Sequence, residues 1–158
     1  MKHWMIVCIV FCILIICLLV GGILFMNKKS VPVESIQSLS FGYTTGTAYL
    51  SNVQYELECS DHCVAKIKPM GVEYENATVV SVDLETVQKI IDILNKYQVM
   101  KWDGFDKSDP YVLDGNDFSF SMTVNSDIHV SASGYMMYPK NYSEVKKGLD
   151  EIFNSLEV

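Results

Sequence analysis

The chain has 158 residues, 49% of them hydrophobic, with a formal net charge of −7 and a pI near 4.8. Beyond the first 29 residues, nine lysines face all nineteen acids, and the chain has no arginine. So acidic a body excludes a nucleic-acid binder, which needs clustered basic residues to neutralise phosphates, and the composition also excludes collagenous, coiled-coil and low-complexity proteins.

Residues 4–26 are apolar and uncharged, broken only by Gly21 and Gly22. As a helix rising about 1.5 Å per residue this run would span roughly 35 Å, enough for a hydrocarbon core of about 30 Å. Lys2 and His3 flank one end, Asn27, Lys28 and Lys29 the other, and Trp4 suits the interface. The run is longer than a cleaved signal requires, and Val20-Gly21-Gly22 is a poor cleavage site. Leu14-Ile15-Ile16-Cys17 lacks the small residue that a lipoprotein signal places before its cysteine. The expectation is an uncleaved transmembrane helix over 4–26, with the lipid bilayer as its partner. Flanking charges leave the orientation nearly balanced. Two cysteines in the body, an even count, suit an oxidising compartment, so the body is expected outside the cell membrane.

Residues 27–35 read as a polar linker stiffened by Pro32, followed by a domain over 36–158. Ile36–Tyr43 reads as a strand, followed by a turn at Thr44–Thr47. Val53, Tyr55, Leu57 and Cys59 alternate with Gln54, Glu56 and Glu58, the period of a half-buried strand. Cys63–Lys68 alternates again, Pro69 ends it, and Ala77–Val82 is a further strand. The period then changes. Leu84, Val87, Ile90, Ile91 and Leu94 share one face of a helix with Asp83 as its N-cap. The stretch 102–117 reads as an acidic loop. Phe118–Val124 and Ile128–Ser133 form a hairpin through Asn125-Ser126-Asp127. A last helix carries Tyr142, Val145, Leu149, Ile152, Phe153 and Leu156, with a capping-box spacing from Asn141 to Glu144. The fold class is α+β: an antiparallel sheet with two amphipathic helices on one face.

Four local features bear on chemistry. In Cys59-Ser60-Asp61-His62-Cys63 the cysteines oppose each other across a hairpin with a three-residue loop. A disulfide is the favoured reading; free thiols, a metal site using Asp61 and His62, and a redox pair are the alternatives. Asp103, Asp106, Asp109, Asp114 and Asp117 crowd one loop; ordinary turn chemistry, with Trp102 and Phe105 pinning the loop to the core, is the favoured reading, and the aspartates as candidate ligands for calcium are the alternative, although their spacing fits no EF-hand. Ser143 and Lys146 have the S-x-x-K spacing of an acylating serine, without its companion motifs. Gly134-Tyr135-Met136-Met137-Tyr138-Pro139 is favoured as a strand-to-helix corner covering the end of the core; Tyr135 and Tyr138, with Trp102, are otherwise a candidate interaction surface for an envelope protein or ligand. No phosphate-binding glycine loop or H-E-x-x-H motif is present, and no catalytic residue is singled out.

Two segments carry a resemblance. Lys101-Trp102-Asp103-Gly104-Phe105, with Asp114-Gly115 and Phe118, and Ser131-Ala132-Ser133-Gly134-Tyr135-Met136, with Pro139-Lys140-Asn141-Tyr142, resemble an uncharacterised family of small bacterial proteins. In that family a domain like residues 36–156 follows a hydrophobic or lipoprotein-type N-terminus. The resemblance implies a cell-envelope setting and brings no activity with it. The cysteine pair and the missing lipobox depart from the family pattern, so neither shared anchoring nor a thiol role follows. The expected function is that of a membrane-anchored extracytoplasmic binding or interaction module. A calcium-dependent site is the alternative, and an envelope hydrolase or thiol-redox enzyme is more remote.

Overall fold

A computed structural model describes residues 31–46 and 51–156. Residues 31–158 make up one compact unit. The expected transmembrane helix at 4–26 lies outside the described residues; among those described, no helix is long and apolar enough to cross a membrane.

The elements run in the order β1 (Ile36–Thr44), β2 (Asn52–Cys59), β3 (Cys63–Lys68), β4 (Thr78–Val82), α1 (Leu84–Lys96), β5 (Phe105–Ser108), β6 (Asp117–Val124), β7 (Ile128–Tyr135) and α2 (Tyr142–Ser155). Short 3-10 turns at Tyr74–Asn76 and Val99–Trp102 precede β4 and β5. Among the described residues, seven strands form one sheet in the order β4-β3-β2-β1-β6-β7-β5. The alternation read from the sequence sets its two faces: Leu39, Phe41, Tyr55, Leu57, Ala65, Ile67, Phe120 and Met122 point to one side and are buried. Both helices contribute to that core, α1 through Val87, Ile90, Ile91 and Leu94, and α2 through Tyr142, Val145, Leu149 and Phe153. Phe153 stacks on Tyr55 with centroids 4.6 Å apart and rings 7° from parallel.

Several expectations are corrected. The sheet is mixed, because β5 pairs parallel to β7, from Phe105 opposite Ala132 to Ser108 opposite Tyr135. The sequence hides this strand: four residues, two of them charged, lie among turn formers. Leu84 belongs by spacing to the α1 stripe but is 81% exposed, since it occupies the first helical turn, just beyond edge strand β4. Asp83 does cap α1, accepting a hydrogen bond from the Thr86 N–H at 2.6 Å. Asn141 forms no capping box. It takes a left-handed conformation (φ 63°), and its Nδ2 donates to the Tyr97 carbonyl, joining the start of α2 to the end of α1.

The described part of the linker is bound to the domain. Val33 is 2% exposed, and its N–H and C=O both pair with the Asn95 side chain at 2.8 Å. Asn125, in the β6–β7 turn, accepts from the N–H groups of Glu34 and Ser35 and donates to the Pro32 carbonyl. Two asparagine amides, each with donor and acceptor, thus satisfy five backbone N–H and C=O groups and draw the start of the unit back to Val31.

Truncating Phe153 to Ala should cost about 3–5 kcal/mol, because it leaves a cavity under Tyr55. Leu84→Ala should change stability by less than about 0.5 kcal/mol, since the side chain is already in water. Urea unfolding of both variants measures the contrast.

Candidate functional site

The cysteines stand opposite each other in the β2–β3 register and form a disulfide, with Cα atoms 4.1 Å apart. Both sulfurs are bonded, so neither is free as a thiolate ligand or nucleophile. Asp61 and His62 lie exposed in the hairpin loop.

The five aspartates diverge. The Asp103 carboxylate accepts from the Ser131 N–H at 3.3 Å, and that of Asp109 from the Tyr111 N–H at 3.0 Å. Asp114 is exposed at the loop tip. Only Asp106 and Asp117 line one cleft together. Among the described residues, no three His, Cys, Asp or Glu side chains are grouped to hold a metal ion.

That cleft, about 320 Å³, opens on the face of the sheet away from the helices and is lined by Asp106, Ser108, Asp117, Phe118, Ser119, Ser133, Gly134 and Tyr135. β5, β6 and β7 supply these residues side by side: Asp106 pairs with Ser133, Ser133 with Ser119, and Tyr135 with both Ser108 and Asp117. Ser133 Oγ donates to Asp106 Oδ1 at 2.9 Å. The Asp117 N–H donates to Thr44 Oγ1 at 2.8 Å. The floor requires glycine at 134, where a Cβ would collide with the Met137 carbonyl and the Phe118 ring. Loop 109–116 is tied to β7 beside the cleft. Tyr135 Oη donates to the Leu113 carbonyl at 2.8 Å, the Met136 N–H to that of Asn116 at 2.9 Å, and the Asp109 N–H to that of Tyr135 at 3.0 Å. On this loop Tyr111 and Leu113 are both 93% exposed.

Of the aromatic candidates, Trp102 is not on the surface. It is 2% exposed, packs edge-on against Phe120 at 5.3 Å, and donates from Nε1 to the Lys140 carbonyl at 3.0 Å. Tyr135 sits at the cleft, whereas Tyr138 stacks on Tyr142 at 4.6 Å. Burial, and then the charge of Asp117, raise the pKa of the Tyr138 hydroxyl. Ser119 and Ser133 escaped the sequence reading because they are simply the polar half of alternating strands, and Ser108 because β5 has no strand pattern of its own. Tyr111 and Leu113 left a clearer signal, as apolar residues between Pro110 and Asp114 in a turn-rich stretch.

A second polar group lies where α2 meets β1 and β2. Tyr43 Oη and Tyr55 Oη both donate to Asp150 Oδ1, at 2.7 and 3.0 Å, and Lys146 Nζ pairs with Asp150 Oδ2 at 2.7 Å. Lys146 also lies over the Tyr43 ring, 3.9 Å from its centroid. Burial alone lowers the Lys146 pKa, but hydrogen bonds to Asp150 and Tyr43, with the Asp150 charge, outweigh it and hold the ammonium protonated. Ser143 is exposed. The S-x-x-K spacing therefore supplies no neutral amine to act as a base.

No known family model matches the chain, and no curated protein matches it.

Burial, then the hydrogen bond to Asp150, push the Tyr43 hydroxyl well above the usual tyrosine value of 10.0. A raised folded-state pKa contributes stability that is complete below the unfolded value and lost as pH climbs past it. Stability should therefore hold through neutrality and fall above about pH 10. Tyr43→Phe should flatten that fall, as read by thermal unfolding across an alkaline pH series.

Proposed function

We propose that this chain is a single-pass membrane protein whose acidic α+β domain lies outside the cell membrane and works as a binding module. The observation that carries the binding role is the cleft on the sheet face away from the two described helices, lined by Asp106, Asp117 and three serines beside the exposed loop residues Tyr111 and Leu113. Carboxylates only accept hydrogen bonds, and serine hydroxyls accept readily as well. An acceptor-rich, negatively charged cleft suits a ligand that presents a protonated amine or guanidinium, while Tyr111 and Leu113 suit apolar groups next to it. The uncharged run 4–26 supports the membrane anchor. The Cys59–Cys63 disulfide supports an oxidising compartment.

Two experiments test the two halves of this reading. With Cys8, Cys12 and Cys17 replaced by alanine, a membrane-impermeant maleimide should label intact cells only after mild reduction. Labelling that appears only on lysis, without reduction, would put the domain in the cytoplasm. For the cleft, a trilysine peptide should bind the full chain, and Asp106→Asn with Asp117→Asn should weaken binding at least about tenfold, the loss of two charge-assisted hydrogen bonds. Glu144→Gln with Glu151→Gln, which removes two acids from α2, should leave it unchanged. Equal loss in both double variants would reduce the interaction to net charge and sink the cleft as a site.

A further inference from the structure

The two edges of the sheet differ in kind. At one, β5 is short, carries Asp106 and Lys107, and runs into Asp109-Pro110. Charge and proline at an edge are what prevent another strand from adding there. At the other, β4 reads Thr78-Val79-Val80-Ser81-Val82, without charge, proline or glycine. It pairs with β3 without a register break, from Ile67 opposite Thr78 to Cys63 opposite Val82, and among the described residues no strand lies on its outer side. Val79 is 63% exposed, and Leu84, two residues past the strand, is exposed as well.

We propose that the free edge of β4 is a self-association site, where a second copy of this chain adds its own β4 antiparallel about a two-fold axis. An axis perpendicular to the sheet makes the pair antiparallel and keeps the helices of both copies on one face. Centring it on Val80 engages all five residues. Val80 meets its own counterpart, Val79 meets Ser81, and Thr78 meets Val82. The pairing needs no complementary sequence, because β4 places no charge opposite another.

Beyond the strand the charges oppose association. Glu75 precedes it and Glu85 follows it, so antiparallel pairing brings Glu75 of one copy toward Glu85 of the other. The dimer is therefore weak at low salt and strengthens as salt screens these acids, the Debye length falling to about 8 Å at physiological ionic strength. A contact held by opposite charges would respond the other way.

The test uses the full chain in detergent, with Cys8, Cys12 and Cys17 replaced by alanine. Under mild oxidation Val80→Cys should give a disulfide-linked dimer, since directly opposed Cβ atoms lie about 5 Å apart. Thr78→Cys should not, because its copies stand about 14 Å apart in this register. His129→Cys, on β7, should not either. Sedimentation of the chain without added cysteines should show dimer increasing with salt, and Val79→Glu, at an exposed position, should weaken it about tenfold by adding like charge across the pair. The proposal is overturned if Val80→Cys gives no more dimer than His129→Cys, if all three cysteine variants cross-link equally, or if dimer declines as salt rises. Sedimentation as a monomer at every salt concentration would also overturn it and leave the edge to a strand from another protein.

Discussion

Phe153 lies flat on Tyr55, and around that stack two helices of 14 and 13 residues cover one side of a seven-stranded sheet. Among the described residues no helix lies over the other side. Burial of apolar surface drives folding in proportion to area, so the stabilising contacts gather on the covered face. Phe41, Phe118, Phe120, Trp102 and Tyr142 form a connected set of rings there, mostly at tilted or edge-on angles. The uncovered face has to meet water only, and its serines, threonines and charged residues do so. A one-sided core thus leaves one surface of a rigid sheet free to carry a cleft.

Polar groups at the margins of this core are all accommodated. Tyr43 and Tyr55 bury their rings and deliver both hydroxyls to Asp150, whose second oxygen holds Lys146. Lys68, only 3% exposed, donates from Nζ to the Asn52 carbonyl and to Asn52 Oδ1. Among the described residues, no buried side-chain nitrogen or oxygen lacks a partner. An unpaired buried polar atom would cost about 1–3 kcal/mol, so these bonds are conditions of the fold as much as contributions to it.

The sequence was readable where local pattern and tertiary packing agree. Strict alternation marked β2, β3, β6 and β7, the change of period marked both helices, and Asp83 announced a helix start that it does cap. What was not readable depends on contacts distant in sequence. β5 is a strand because β7 lies beside it, and no pattern within four residues encodes that pairing. Trp102 could be read both as a pin holding the acidic loop to the core and as part of a surface, and the 3-10 turn Val99–Trp102 directs it into the core. Asn141 matched a capping box, but its side chain donates instead to the Tyr97 carbonyl, just past the end of the other helix. The disulfide was legible because its geometry is local, five residues of one hairpin. The cleft was not, because its wall depends on β5 lying parallel beside β7, a pairing that no local pattern announces.

Core and cleft nonetheless share atoms. Phe118 forms part of the cleft lining while its ring packs against Trp102, Phe105, Tyr138 and Tyr142. Gly134, next to it, leaves no room for a side chain between Phe118 and the returning backbone at Met137. The floor is therefore fixed by the same packing that holds α2 on the sheet. The walls are strand residues at set register, and three hydrogen bonds hold loop 109–116 to β7. A site whose floor and walls are settled by folding loses little conformational freedom when it is occupied, which favours binding without any increase in contact area. Its outer residues face solvent and make few packing contacts, so substitutions there can alter what the cleft accepts at little cost to the core beneath.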